Sequence, residues 1–399
     1  MNANLESLYK IAQKPTRTII GLMSGTSLDG LDVALCEISG FGENTEVKLI
    51  QFDTIDYSDD IKADIRSVFA KQTIDFQKLI LLNEWMGVLH ANMILDCLKR
   101  WKISTNKVDL IASHGQTVFH APKILHQQDK FPNATLQIGD GDHIAVKTGI
   151  ITLSDFRQKH LAAGGEGAPL AVYGDYFLFT KKGENRIMLN MGGISNFTYL
   201  PSNGNPEDVF VTDTGTGNTL IDAFTNHFFP EKSYDKDAEI AKTGTVNLSL
   251  LKALKSDAFF LKPYPKTTGP ELFNIDYVKK AQAKSNTQNI SIPDLLATLT
   301  RFSAETIAEA INNTIVYPIE NFTIYMSGGG THNPLLVQWL KELVSCRFST
   351  TDDLGISGDA KEAILFAILA NETVSGGNSD FGVRKGIPSI SMGKISFPN

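Results

Sequence analysis

The feature that most constrains this chain is a pair of similar stretches, RTIIGLMSGTSLDGLDVALCEI from Arg17 and RIMLNMGGISNFTYL from Arg186. Each reads as an apolar strand, a glycine-rich tight turn and a second strand of alternating character. They lie about 170 residues apart, the separation of a duplicated domain rather than of a short solenoid repeat. A third glycine turn, in IYMSGGGTHNPLL from Ile324, follows a strand-like run over 322–326 and precedes a helix that opens at Asn333 and Pro334, where proline suits the first turn. A chain of 399 residues has room for two such domains.

Helices and strands interleave between these landmarks. The spacing of apolar residues predicts a long helix over 76–101, a buried strand from Lys107 ending in a polar loop, a short helix from Asp142 closed by Gly149, and a strand ITLSDF from Ile151. The breaker cluster AAGGEGAP at 162–169 is expected at the domain junction, and the apolar helix from Gly358 is expected to lead back to the first domain.

Net charge is -7 with no block of like charge, which argues against a nucleic-acid partner. Three scattered cysteines make neither a disulfide framework nor a zinc site, and point to a reducing compartment. The start of the chain lacks the apolar run of a signal peptide, and no stretch is long and apolar enough to span a membrane; a cytoplasmic protein is expected.

Turns with several glycines expose consecutive backbone N–H groups that can bind phosphate oxygens. The candidates are Ser24–Gly30, with Gly25, Thr26, Ser27, Leu28 and Asp29; Gly192–Asn196, with Gly193; and Ser327–Thr331, with Gly328, Gly329 and Gly330. Neither GxxxxGK[ST] nor a GxGxxG between strand and helix occurs, so a P-loop or Rossmann mechanism is disfavoured. Asp213 opens DTGTGN, expected as a loop after the strand DVFVT, and reads either as a general base or as the cap of the helix from Asn218. An aspartic-protease reading of DTG would need a second such carboxylate, and no second DTG or DSG is present. Glu362 reads as a first-turn helix acid or as a site residue. Arg157 reads as a bidentate carboxylate partner or as a structural ion pair. His114 and His120 lack the further ligands of a zinc site.

The strings GLMSGTSLDGLDVAL, SHGQTVFH, LQIGDGDHIAVKTGI, DFR, GGEGAPL, NMGGISN, DTGTGN, YDKDAE, PKTTG, SGGGTHNPLL and GISGDAKEA run in order along nearly the whole chain. The sequence thereby resembles the 1,6-anhydro-N-acetylmuramic acid kinase family of the actin, Hsp70 and sugar-kinase superfamily. The resemblance implies an α/β fold of duplicated actin-like, ribonuclease H-like domains flanking a central cleft, with residues 1–180 and about 372–399 in domain I and 181–371 in domain II. It implies ATP held by the first two turns, with Gly328–Gly330 and Asn333 beside the adenosine, and magnesium acting through bound water near Asp29. Asp213 matches the catalytic aspartate and Glu362 a catalytic glutamate that reaches the sugar. His114, Gln116, Thr117, Arg157 and Gly167 fall among the sugar contacts, Arg157 on the lactyl carboxylate. A homodimer acting on a small anhydro sugar is also implied. The chain departs from the family at His160, at Glu166 and in the run AVYGDYF over 171–177, all around the sugar side. A kinase for another anhydro or amino sugar, or a non-catalytic nucleotide switch, are the alternatives.

Overall fold

The computed structural model describes residues 2–399 apart from 26, 27, 169, 270, 316, 317, 377–379 and 383–386, and apart from the side chain of residue 320. The chain divides into two compact units: Met1–Thr180, Asn205–Glu207 and Asp359–Asn399 form the first, Lys181–Gly204 and Asp208–Gly358 the second. The return to the first unit therefore comes at Asp359, earlier than the boundary near 372 expected from sequence. The breaker cluster at 162–169 lies inside the first unit, away from the junction at Thr180 and Lys181.

In the first unit, β1 (Thr16–Ser24), β2 (Gly30–Ser39) and β3 (Glu46–Asp56) form an antiparallel meander. β4 (Leu110–Ala121) pairs parallel with β1, β5 (Ala134–Ile138) antiparallel with β4, and β6 (Thr152–Ser154) parallel with β4. A short strand, Lys394–Ser396, closes the far edge antiparallel to β6. In the second unit, β7 (Asn185–Met191), β8 (Ile194–Leu200) and β9 (Phe210–Thr216) repeat the meander. β10 (Phe322–Ser327) pairs parallel with β7 and β11 (Arg347–Thr350) parallel with β10. The spatial orders β3-β2-β1-β4-β6 and β9-β8-β7-β10-β11 are thus one topology used twice, and the duplication seen as two glycine hairpins is real at the level of the sheet.

The layers follow from residue pattern. Ile19, Ile20 and Leu22 of β1 are fully buried, as a strand covered on both faces requires. One cover is the helix Lys361–Ser375, whose run from Ala363 to Ala370 is buried throughout. A Cβ on Gly21 would lie 1.9 Å from Ala363 O, so a side chain there would push that helix off the sheet. On the other side, helix Phe76–Trp101 contributes Leu82, Met86, Ile94, Cys97 and Leu98 to a core shared with β1, β2 and β4. Asp75 caps its first turn and Lys102, in the left-handed region, ends it. In the second unit Ile187, Leu189, Phe197 and Ile324 pack against Ile307, Ala308 and Ile311 of helix Ile292–Thr314.

Candidate active site

The first glycine turn joins β1 to β2 and is held by Gln116 of β4, by Tyr57 just after β3 and, behind Tyr57, by His90 of helix Phe76–Trp101. Ser24 ends β1 with its hydroxyl buried, donating to Gln116 Oε1 at 2.5 Å, with Gly30 O at 3.2 Å. Gln116 Nε2 donates to Gly25 O at 3.0 Å and Thr117 O at 3.1 Å, which fixes the amide's orientation and leaves its oxygen as the acceptor. Tyr57 Oη lies 2.8 Å from Ser24 Oγ and 2.8 Å from His90 Nε2, so protons point one way, from His90 through Tyr57 and Ser24 to Gln116. Burial drives the His90 pKa down to about 4, which keeps that imidazole neutral. Tyr57 also donates its backbone N–H to Asp29 O at 2.9 Å, so one tyrosine ties both ends of the turn.

Within the turn, Leu28 has a left-handed backbone (φ 59°) while its side chain is buried in the core, and Asp29 is exposed. Gly30 is glycine for a structural reason, because a Cβ would lie 2.2 Å from Ile55 O on β3. At Gly25, by contrast, a Cβ meets nothing closer than Met23 Cε at 3.5 Å. Thr26 and Ser27, also expected at the nucleotide, lie outside the described residues.

Beyond the turn, β4 carries the residues expected to meet the sugar. The buried His114 has Nδ1 3.2 Å from Ser24 O and Nε2 2.8 Å from Arg157 Nε. Nε2 must accept from the guanidinium, so Nδ1 holds the proton and donates to Ser24 O. Burial, and then the Arg157 charge, push the His114 pKa well down, consistent with that neutral tautomer. Arg157 also donates to Gly167 O at 2.6 Å, and Gly167 N donates to His160 Nδ1 at 2.9 Å. Arg157 is the second residue of helix Phe156–Ala162, which begins where ITLSDF was expected to continue as strand; Asp155, at φ 55°, breaks the strand there. Burial lowers the Arg157 pKa to about 10 while Glu362 opposes the shift, so the cation persists at neutral pH. Glu362 opens helix Lys361–Ser375; solvent reaches it, yet the dense protein around it raises its pKa, with Lys361 and Arg157 working the other way. Gln116 was expected among the sugar contacts, but its amide is engaged on the turn. Thr117 accepts from Gln137 Nε2 at 3.4 Å. Glu166 is exposed beside Gly167.

In the second unit, the turn Gly192–Gly193 between β7 and β8 is cross-bonded to the turn after β9. Gly217 N donates to Gly193 O at 2.8 Å and Asn218 N to Gly192 O at 2.9 Å. A Cβ on Gly193 would lie 2.7 Å from Thr219 Oγ1, whereas Gly192 has nothing nearer than 3.6 Å. Gly328 (φ 83°) and Gly330 press on Asn190 and Met191 of β7, while a Cβ on Gly329 would make only an ordinary contact, with Asn218 Nδ2 at 3.6 Å. Asn333 caps helix Pro334–Leu343 by accepting from Leu336 N at 3.0 Å, a structural duty beside the nucleotide role expected of it.

Asp213 sits within β9 rather than on a loop. β8 and β9 lose register between Ser195 and Asn196: Ser195 pairs with Gly215 and Asn196 with Asp213, which leaves Thr214 as a bulge. The carboxylate is half-buried and accepts from Thr268 N at 2.8 Å through Oδ2, leaving Oδ1 without a donor among the described residues. Its pKa rises to about 6, mainly from burial and secondarily from Glu271, with the Thr268 hydrogen bond acting against both. It is therefore ionised at neutral pH and close enough to neutrality to take up a proton, as a general base must. Tyr57, His90, Lys266 and Thr268 support these groups and carried no signal in the sequence beyond the string PKTTG.

A sequence profile described as anhydro-N-acetylmuramic acid kinase matches residues 17–387. The anhydro-N-acetylmuramic acid kinase of Pseudoalteromonas atlantica is 56% identical over 100% of both chains. The protein of the same name from Caldanaerobacter subterraneus subsp. tengcongensis is 38% identical over 98% of this chain and 100% of its own. Among solved structures, a ligand-bound xylulose kinase from Lactobacillus acidophilus aligns with 96% of this chain and 94% of its own at 11% identity and a TM-score of 0.43.

Proposed function

The chain belongs to the anhydro-N-acetylmuramic acid kinase family, and from that premise we propose an ATP-dependent enzyme that opens the 1,6-anhydro bond of 1,6-anhydro-N-acetylmuramic acid and phosphorylates O6. The products are N-acetylmuramic acid 6-phosphate and ADP. The observation that carries the reading is Asp213, a half-buried carboxylate with one oxygen fixed by a backbone N–H and a pKa of about 6.

Asp213 takes a proton from the water that attacks C1. The C1–O6 bond breaks, and O6 receives the γ-phosphoryl group of ATP. Little covalent help is needed for the transfer, so positioning and charge neutralisation make up most of the protein's task. Arg157 presents its guanidinium to the lactyl carboxylate while His114 and Gly167 hold its plane, and Glu362 accepts from a sugar hydroxyl. The nucleotide reading is supported by the bare backbone at Gly25, Gly192 and Gly329, where no side chain stands between a phosphate or ribose and the main-chain N–H and a Cβ would make only ordinary contacts at 3.5–3.6 Å. No cluster of three or more metal-ligating side chains stands among the described residues, so magnesium near Asp29 would be held through its waters rather than by a carboxylate cage. Held in that way, magnesium would supply charge neutralisation of the phosphates. No helix among the described residues is long and apolar enough to cross a membrane; we place the enzyme in the cytoplasm, as a homodimer by analogy with its family.

The test is ADP release measured with and without the anhydro sugar. Sugar-dependent release is expected; equal release in its absence would mean an ATPase or nucleotide switch, and faster turnover of free N-acetylmuramic acid an ordinary hexose kinase.

A further inference from the structure

Asp213 is held by a strap from another part of its unit. Its backbone N–H donates to Lys266 O at 2.9 Å, and two residues further on Thr268 N donates to its carboxylate at 2.8 Å. Thr212, just before Asp213 on β9, locks the same strap, its Oγ1 accepting from Lys266 N at 3.0 Å and lying 3.3 Å from Lys266 O.

What anchors the strap is the Lys266 side chain. The residue is only 7% exposed. Its ammonium stands 4.1 Å from the ring centre of Tyr264 and 4.6 Å from that of Phe259, with Phe260 at 5.8 Å. It donates to Phe259 O at 3.1 Å and Phe260 O at 3.4 Å. A buried cation is costly unless aromatic faces and carbonyl dipoles replace its water, and here they do. Burial and the charge of Lys262 lower its pKa, and Glu309 raises it.

We propose that Lys266 is a positioning residue for the reaction: its caged ammonium pins the segment 266–268, and through Thr268 N–H that segment sets the orientation and basicity of Asp213. The inference rests on Asp213 being the general base. Among the described residues Glu271 is the charged group that acts on the carboxylate; it raises the pKa together with burial, and the Thr268 N–H is the contact that works against both.

The experiment is the pH profile of kcat/KM for the anhydro sugar, measured on the full chain for wild type, Lys266→Met and Thr212→Val, with ATP saturating. The reading of Asp213 as base requires a wild-type acid limb near 6. If that limb is missing, the reading itself fails. Given the limb, Lys266→Met fills the cage without holding the carbonyls, and should move the limb upward by about half a unit or more and lower kcat about tenfold or more, within the range general-base impairment produces. KM for ATP should change less than about twofold. Thr212→Val, a near-isosteric change, should move the limb the same way even if Lys266→Met folds poorly. An unmoved limb in Thr212→Val, or in a folded Lys266→Met enzyme, overturns the proposal, whatever the loss of rate.

Discussion

Replacing Asp213 with asparagine should abolish turnover and stabilise the fold, and the second effect can be sized from the structure. The carboxyl ordinarily titrates at 3.8 and is pushed to about 6 in the folded chain, chiefly by burial. Because the folded pKa lies above the unfolded one, the ionised form is disfavoured by folding. The penalty is fully present above about pH 6 and vanishes below about pH 4; at 1.36 kcal/mol per pKa unit it amounts to about 3 kcal/mol. Asparagine keeps the Oδ that accepts from Thr268 N–H but carries no charge, so Asp213→Asn lacks this pH-dependent penalty. Melting curves of the two proteins between pH 4 and pH 8 are the assay. Their gap should widen as pH rises, by roughly 6–12 °C at the usual sensitivity of a unit this size. A gap that stays constant across the range would refute the claim that Asp213 is a desolvated carboxylate. Loss of activity at pH 8 should accompany the gain in stability, as is common where an active site holds a group in an unfavourable environment.

Two further substitutions separate the nucleotide and sugar roles. Gly25→Val meets only Met23 Cε at 3.5 Å, so the fold should survive while nucleotide binding, measured by calorimetry, is lost; unchanged ATP affinity would remove the first turn from the nucleotide site. Arg157→Lys cannot reproduce the planar guanidinium that His114 and Gly167 hold, and should weaken the muramic sugar much more than its glucosamine counterpart. Equal losses for both sugars would assign Arg157 to structure alone.

Much of this arrangement was legible in the residues, and the failures have physical causes. Helix 76–101 was bounded correctly because its apolar spacing and polar caps are local properties. DTGTGN reads as a loop because it carries no apolar residues, but β8 supplies a ladder for its first four residues, Asp213 to Thr216, and the Thr214 bulge absorbs the misfit, so only Gly217 and Asn218 lie outside the strand. ITLSDF was read one element too far because the left-handed Asp155 is invisible to periodicity. The run at 162–169 resembled a linker by composition, yet Arg157 and His160 bind its Gly167, so it belongs to the first unit. Gln116 stood beside residues that invite a substrate role, and only three-dimensional pairing shows its amide turned to Ser24 and Gly25. Tyr57 and Lys266 were missed because each acts through a partner distant in sequence.

The central claim is that water attacks C1 as O6 accepts phosphate, with Asp213 as the base. Turnover in ¹⁸O-labelled water, quenched before the free sugar's anomeric oxygen exchanges, tests it most directly. Mass spectrometry of the product should find one label at C1 and none in the phosphate. Label in the phosphate would mean that water attacks ATP, and a product without label at C1 would mean that the anhydro bond is not opened by water; either result would contradict the account.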